Sequence, residues 1–359
     1  MDDLHARLRE AREAEGKKAS AVAAAANVSA AHLCNIEAGR RQLTDEVILA
    51  YAQVLGEDCM QRRGLILGTI GAGLLGPAAA HQLIERGFNA ALSKKGAEDK
   101  WRAGVLQYGR DYMEIGAAKL QDRLATDLVL IQQQLDTPGM WAAAARLLTT
   151  YGKTSGDPTE AIRWYRLAVQ AADRSEDTST RVWVRGRAAI ALAYEGAALG
   201  TAQQLATKAI GLSDKPSLGR LNSLVALAHV AGNRGDHAAA VTADDNARKL
   251  FDRIGSEDAE ISDFAVPGWR MATFRSMLYA RLGDVRRGQA AQDEADDGRP
   301  AALVRFQTHI ELHRGLMMAK SGDKAGGLAY AQAAMNALPP EKRSQTLRLV
   351  LAEVARAGA

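Results

Sequence analysis

Three glycines, Gly71, Gly73 and Gly76, follow a short apolar run and have a spacing that could do chemistry. A strand, a tight turn and a helix N-terminus spaced in this way seat a pyrophosphate on backbone N–H groups. Ala79, Ala80, Leu83 and Gly87 extend the pattern to where such a helix would pack on its sheet. The remainder of a dinucleotide site is missing. The acid that holds the ribose hydroxyl, about twenty positions further on, would fall at Ser93-Lys94-Lys95. The next strand would be FNAALS, which has no β-branched residue. From Glu98 onward the apolar residues recur with helical period. Residues 59–95 are therefore expected to form an apolar linker helix, with a nucleotide-binding enzyme using Gly71 to Gly76 as the alternative. His309 and His313 lie i, i+4 on one helix face, but no third metal ligand is evident. No paired carboxylates and no nucleophile–base set appear either. The sequence predicts no catalytic residue, no cofactor and no metal.

Composition sets the elements that would carry any other site. The chain has 359 residues, 47% hydrophobic and 25% charged, enough for more than one core. Alanine is abundant, prolines number eight and aromatics make up 5%, so the expected fold class is all-α. The net charge of +4 permits a nucleic-acid partner without requiring one. Two cysteines, Cys34 and Cys59, make no disulfide framework and fit a reducing cytoplasm. The first fifteen residues are too charged for a secretory segment, and the apolar run at 65–80 is shorter than the ~20 residues of a membrane span.

In residues 1–58, LHARLREAREAEG places Leu4, Leu8, Ala11 and Ala14 on one helical face and stops at Gly16. Two short helices follow, in KASAVAAAANV and SAAHLCNIEAGRR, with Ser29 as a cap and Gly39 as a stop. Ala23, Asn27-Val28-Ser29, Leu33, Ile36 and Glu37-x-Gly39 resemble the XRE family of phage-repressor-like helix-turn-helix domains. The resemblance implies a five-helix domain that binds double-stranded DNA, with a structural ion pair between Arg12 and Glu37. It implies base contacts from Ala30, Ala31, His32 and Asn35 at Ser29 and beyond, and phosphate contacts from Lys17, Lys18, Arg40 and Arg41. Ala19 stands where the family often has a glutamine. Cys34 is expected as an ordinary small buried residue.

After capping helices or a degenerate repeat at 96–140, residues 141–359 repeat themselves. Gly156-Asp157, Gly235-Asp236, Gly283-Asp284 and Gly322-Asp323 are each followed by small residues five and twelve positions after the glycine. A weaker copy turns at Ala197-Ala198, so units start at 156, 197, 235, 283 and 322, spaced 38 to 48 residues apart. Such units are helix hairpins that must stack to bury their apolar faces. They resemble tetratricopeptide (TPR) repeats, although the spacing exceeds that family's ~34 residues; the stretch IGSEDAEISDFAVPGW is the clearest longer loop. The resemblance implies an α-solenoid whose first helices line a concave groove. It nominates Arg146, Arg187, Tyr194, Asn222, His229, Asn233, Arg270, Arg281 and His313 as ligand contacts, with Lys153, Glu195, Phe274, Met277, His309 and Lys320 beside them. Arginine forks and amides suit a peptide or a small acidic molecule. The expected protein is a cytoplasmic, dimeric DNA-binding regulator that senses such a ligand or a partner protein. The alternative is a repeat scaffold with an idle helix-turn-helix domain.

Overall fold

The computed structural model describes residues 4–44, 47, 50, 51, 54, 55 and 97–358. Among these residues the structure is all helical, with no strand. The chain divides into two units, residues 1–92 and 93–359. The expected linker helix at 59–95, with Gly71, Gly73, Gly76 and Cys59, lies outside the described residues.

In the first unit, α1 (Leu4–Ala14), α2 (Ala19–Ala25) and α3 (Ala30–Glu37) enclose a small core. Leu8 and Ala11 pack with Val22, Ala23, Leu33 and Ile36, and helical Val47, Ala50, Tyr51 and Leu55 join them. Three of the five expected helices are thus described end to end. Ala14 is exposed, contrary to the expected face, and Arg12 is buried instead because it has an internal partner. Asn27 takes a left-handed conformation (φ 52°) between α2 and α3, where its short polar side chain tolerates the strain. Ser29 Oγ then accepts from His32 N at 3.1 Å and caps α3.

The second unit opens with α4 (Ala97–Glu114) and α5 (Ala117–Ile131), both packed on α6. Five hairpins follow: α6 (Pro138–Thr154) with α7 (Pro158–Arg174), α8 (Thr178–Glu195) with α9 (Leu199–Leu212), and α10 (Leu218–Asn233) with α11 (His237–Ile254). The last two are α12 (Gly268–Leu282) with α13 (Val285–Gly298) and α14 (Val304–Lys320) with α15 (Lys324–Ala337), before a single α16 (Gln345–Gly358). Each Gly-Asp lies at a hairpin turn. Asp157, Asp236, Asp284 and Asp323 accept from the backbone N–H of Glu160, Ala239, Arg287 and Gly326 and so cap the second helices. The small residues permit close packing: Ala168, Ala209, Ala247 and Ala295 are fully buried, whereas Ala334 is half-buried.

Successive helices stack as a solenoid, and the first helices of neighbouring hairpins run parallel. Gly186 in the middle of α8 meets Gly219 at the start of α10, where a Cβ on Gly186 would lie 2.1 Å from Gly219 O. Asn233 Nδ2 reaches Ala193 O at 3.1 Å near the ends of the same two helices. Arg281 of α12 reaches His229 of α10 near their ends, and Trp269 of α12 packs edge-on to Phe306 of α14 near their starts, at 5.1 Å.

The expected open groove is not formed. The loop at 255–267 runs across the first-helix face instead of out into solvent: Asp263 N donates to Gly109 O at 2.7 Å, and Phe264 packs edge-on to Trp183 at 5.0 Å. A Cβ on Gly109 would lie 2.6 Å from Ser262 Oγ, so this approach requires glycine in α4. The physical reason is apolar content, since Phe264, Ala265 and Val266 are buried.

Candidate functional site

Arg12 and Glu37 form a two-pronged pair between α1 and α3, Nε to Oε1 at 2.6 Å and Nη2 to Oε2 at 2.9 Å. Arg12 also donates to Lys17 O at 2.9 Å, and Tyr51 donates to Glu37. The hydrogen bond to Glu37 holds the Arg12 guanidinium above its usual range despite burial. This pair fixes the α1–α3 angle and thereby the exposed face of α3. Glu37→Gln leaves a buried guanidinium without its countercharge. The expected result is a loss of about 3 kcal/mol from the first unit, read as a lower thermal midpoint of residues 1–92 by circular dichroism.

Around this pair, Lys17, Lys18, Ser29, Ala30, Ala31, Arg40 and Arg41 are exposed, while His32 and Asn35 are half-buried. Arg41 Nη1 lies 3.1 Å from His32 Nδ1, so the two side chains order each other at the start of α3. Cys34 is exposed, contrary to expectation, because it shares the outward face of α3 while Leu33 and Ile36 take the core.

The second unit holds a pocket, partly open to solvent, between the first helices and the start of α16. Lys153, Arg187, Arg270 and Arg305 line it, beneath aromatic walls from Tyr112, Tyr165, Tyr194, Phe274 and Phe306. Behind the cations sits Asp263, whose Oδ1 accepts from Arg187 at 2.7 Å, from Arg270 at 2.8 Å and from Lys153. Burial opposes ionisation of Asp263, yet Arg187, Lys153 and Arg270 together hold its carboxyl well below the usual range. Burial, with Arg187 adding repulsion, pushes the Lys153 ammonium well below its ordinary value. Arg305 donates to Tyr112 O at 2.7 Å and lies over the Tyr112 ring. The one carboxylate among the lining residues, Glu195, accepts from Thr346 at 2.7 Å and is pushed up by burial. Even with Lys153 neutral and Glu195 ionised, the cluster keeps a surplus of one positive charge. Arg187 Nε, Arg270 Nε and Asp263 Oδ2 are buried without a hydrogen-bond partner.

The nominated ligand residues separate into three groups. Arg187, Tyr194 and Arg270 line this pocket, together with Lys153, Glu195, Phe274 and His309. Arg146 lies in a different recess with Glu98, Leu106 and Asp177, its guanidinium 5.0 Å from the Trp183 ring centre. Asn222, His229, Asn233, Arg281 and His313 do not line the pocket, and all but half-buried Asn233 are buried. Asn233 donates to His229 O and Ala193 O, and Arg281 to Tyr194 O and Glu353, so these side chains serve the packing of helices. The nitrogens of His313 face Tyr194 Oη at 2.7 Å and Ser276 Oγ at 2.9 Å, and Tyr194 Oη also faces His309 at 3.2 Å. Burial pushes His309 down to about 3, and burial takes His313 and His229 well below the ordinary range, so all three are neutral in the folded protein.

Sequence reasoning missed Asp263, Arg305, Tyr112, Tyr165 and Phe306. Arg305 was within reach, since it precedes His309 and His313 by one and two steps of four on the same helix face.

Residues 3–63 match a family model described as a helix-turn-helix domain. No curated protein matches the chain, and no solved structure does. The first unit is accordingly a DNA-binding domain of the helix-turn-helix class, joined to a unit built of stacked helices. No single helix among the described residues is long and apolar enough to cross a membrane.

Proposed function

We propose that this chain is a cytoplasmic transcription regulator of the XRE type, in which a TPR-like repeat unit binds an acidic small molecule or peptide and changes how a homodimer holds DNA. The observation that carries the reading is the pairing, in one chain, of a helix-turn-helix domain with a pocket whose cations outnumber its carboxylates. Buried charge without a partner costs several kcal/mol, so an entering anion is favoured. Dimeric domains of this class meet half-sites about one DNA turn apart, so a modest rotation breaks simultaneous contact. In this reading the chain binds and does not catalyse. A scaffold using the repeats to hold another protein is disfavoured because the loop at 255–267 covers the first-helix face.

The test begins with DNA. Lys18 and Arg41 are exposed, just before α2 and just after α3, and each phosphate contact releases about one counterion. Lys18→Ala and Arg41→Ala should each weaken binding to a mixed-sequence duplex and reduce the slope of log affinity against log salt by about 1. Fluorescence anisotropy at four salt concentrations reads both. An unchanged slope in both variants removes DNA from the reading and leaves the scaffold.

A further inference from the structure

The pocket is polarised along the helices that build it, and this names its ligand. This inference rests on the reading of the pocket as a ligand site. Because α8, α12 and α14 run parallel, equivalent turns lie at equivalent heights. Arg187, Arg270 and Arg305 stand at one end of the lining, each on the first turn that its helix contributes. The next turns of α8 and α12 supply the apolar Ile190 and Phe274, and Phe306 adjoins Arg305 on the first turn of α14. The last supply the neutral groups Tyr194 and His309, with Thr346 of α16 beside Glu195. From Arg187 to Tyr194 is two helical turns, about 10 Å at 1.5 Å per residue.

We infer that the pocket takes a small carboxylic acid with a flat aromatic body, its carboxylate at the arginine end and its ring between Phe274, Phe306 and Ile190. The cation surplus accommodates a single acid without leaving charge unpaired. An arginine fork matches a carboxylate in two-pronged geometry, and aromatic walls favour an aromatic ring by edge-to-face contact. Inorganic phosphate satisfies the charged end but leaves the apolar turns unfilled. An extended peptide at about 3.3 Å per residue fits only about three residues here. The amides that would hold its backbone are elsewhere, Asn233 being bonded to Ala193 O and His229 O.

The experiment is calorimetric titration of the full chain with 3-phenylpropanoate, acetate, inorganic phosphate and triglutamate. The expected result is that 3-phenylpropanoate binds at least tenfold more tightly than each of the other three. Arg305→Gln should weaken it at least about tenfold, the scale of one charge-assisted hydrogen bond. Phe274→Leu should weaken 3-phenylpropanoate while leaving acetate unchanged, and Arg41→Ala should alter neither. Since Arg305 makes no bond to Asp263, its variant tests the pocket without dismantling the buried cluster; thermal midpoints verify that each variant is folded. Phosphate or triglutamate binding as tightly, and losing affinity in Arg305→Gln, overturns the aromatic-acid class and keeps the ligand pocket. Binding of no probe, or binding indifferent to Arg305→Gln, overturns both.

Discussion

Asp263→Asn is expected to destabilise the second unit by about 5 kcal/mol, the upper end of the range for removing one partner of a buried ion pair. The magnitude follows from geometry: one oxygen of Asp263 accepts from Arg187, Arg270 and Lys153, and all four side chains are nearly inaccessible to water. Neutralising the acid leaves like charges facing one another in a medium that screens them poorly. Lys153, already displaced far down its titration range, then sheds its proton, which limits the loss without abolishing it. Adding Lys153→Met to Asp263→Asn should therefore recover part of the stability, whereas two independent substitutions would add. Urea unfolding followed by circular dichroism measures both. Equal midpoints for the wild type and Asp263→Asn would show that the carboxylate does not hold the cations.

Acidification from pH 7.5 to pH 5 should weaken the second unit with a slope approaching 4 kcal/mol per pH unit, at about 1.4 kcal/mol per histidine. His229, His309 and His313 are buried and neutral, and their folded values lie below the unfolded value of about 6.5. Below that unfolded value the unfolded chain binds protons that the folded chain refuses, so stability is complete above about pH 7.5 and declines as the pH falls. For His309 the decline stops only near its folded value of about 3. Asp263 is ionised in both states across this window and does not contribute to the slope. His309→Gln should reduce the slope by a third, measured as urea midpoints at three pH values. A slope unaltered by the substitution would mean that His309 is already charged in the fold.

Much of the scaffold was legible because its signals are local. The Gly-Asp pairs specify a turn and a cap within four residues, and the small residues five and twelve positions later follow from helix geometry alone. Glu37 and Arg12 were legible through a resemblance that links residues 25 apart. The pocket was partly legible: registering first helices by their turns brought Arg187, Tyr194 and Arg270 to one place, because parallel stacking preserves that register. Asp263 was not. It lies in a long loop, where an acid ordinarily faces water, and its partners Lys153 and Arg187 are 110 and 76 residues away. No pattern of short period carries such a pairing. The same distance explains Arg281, which a groove register presents as a ligand contact and which instead ties the end of α8 to Glu353 in α16.

The inward path of residues 255–267 bears on how the second unit comes apart. In an ordinary array each hairpin touches only its neighbours, so the ends peel away in succession. Here one short segment joins α4, α6, α8 and α12, fastening the front of the array to its fourth hairpin. Such a cross-brace cannot loosen at one point without releasing the others, so the first four hairpins melt together instead of unzipping from the front.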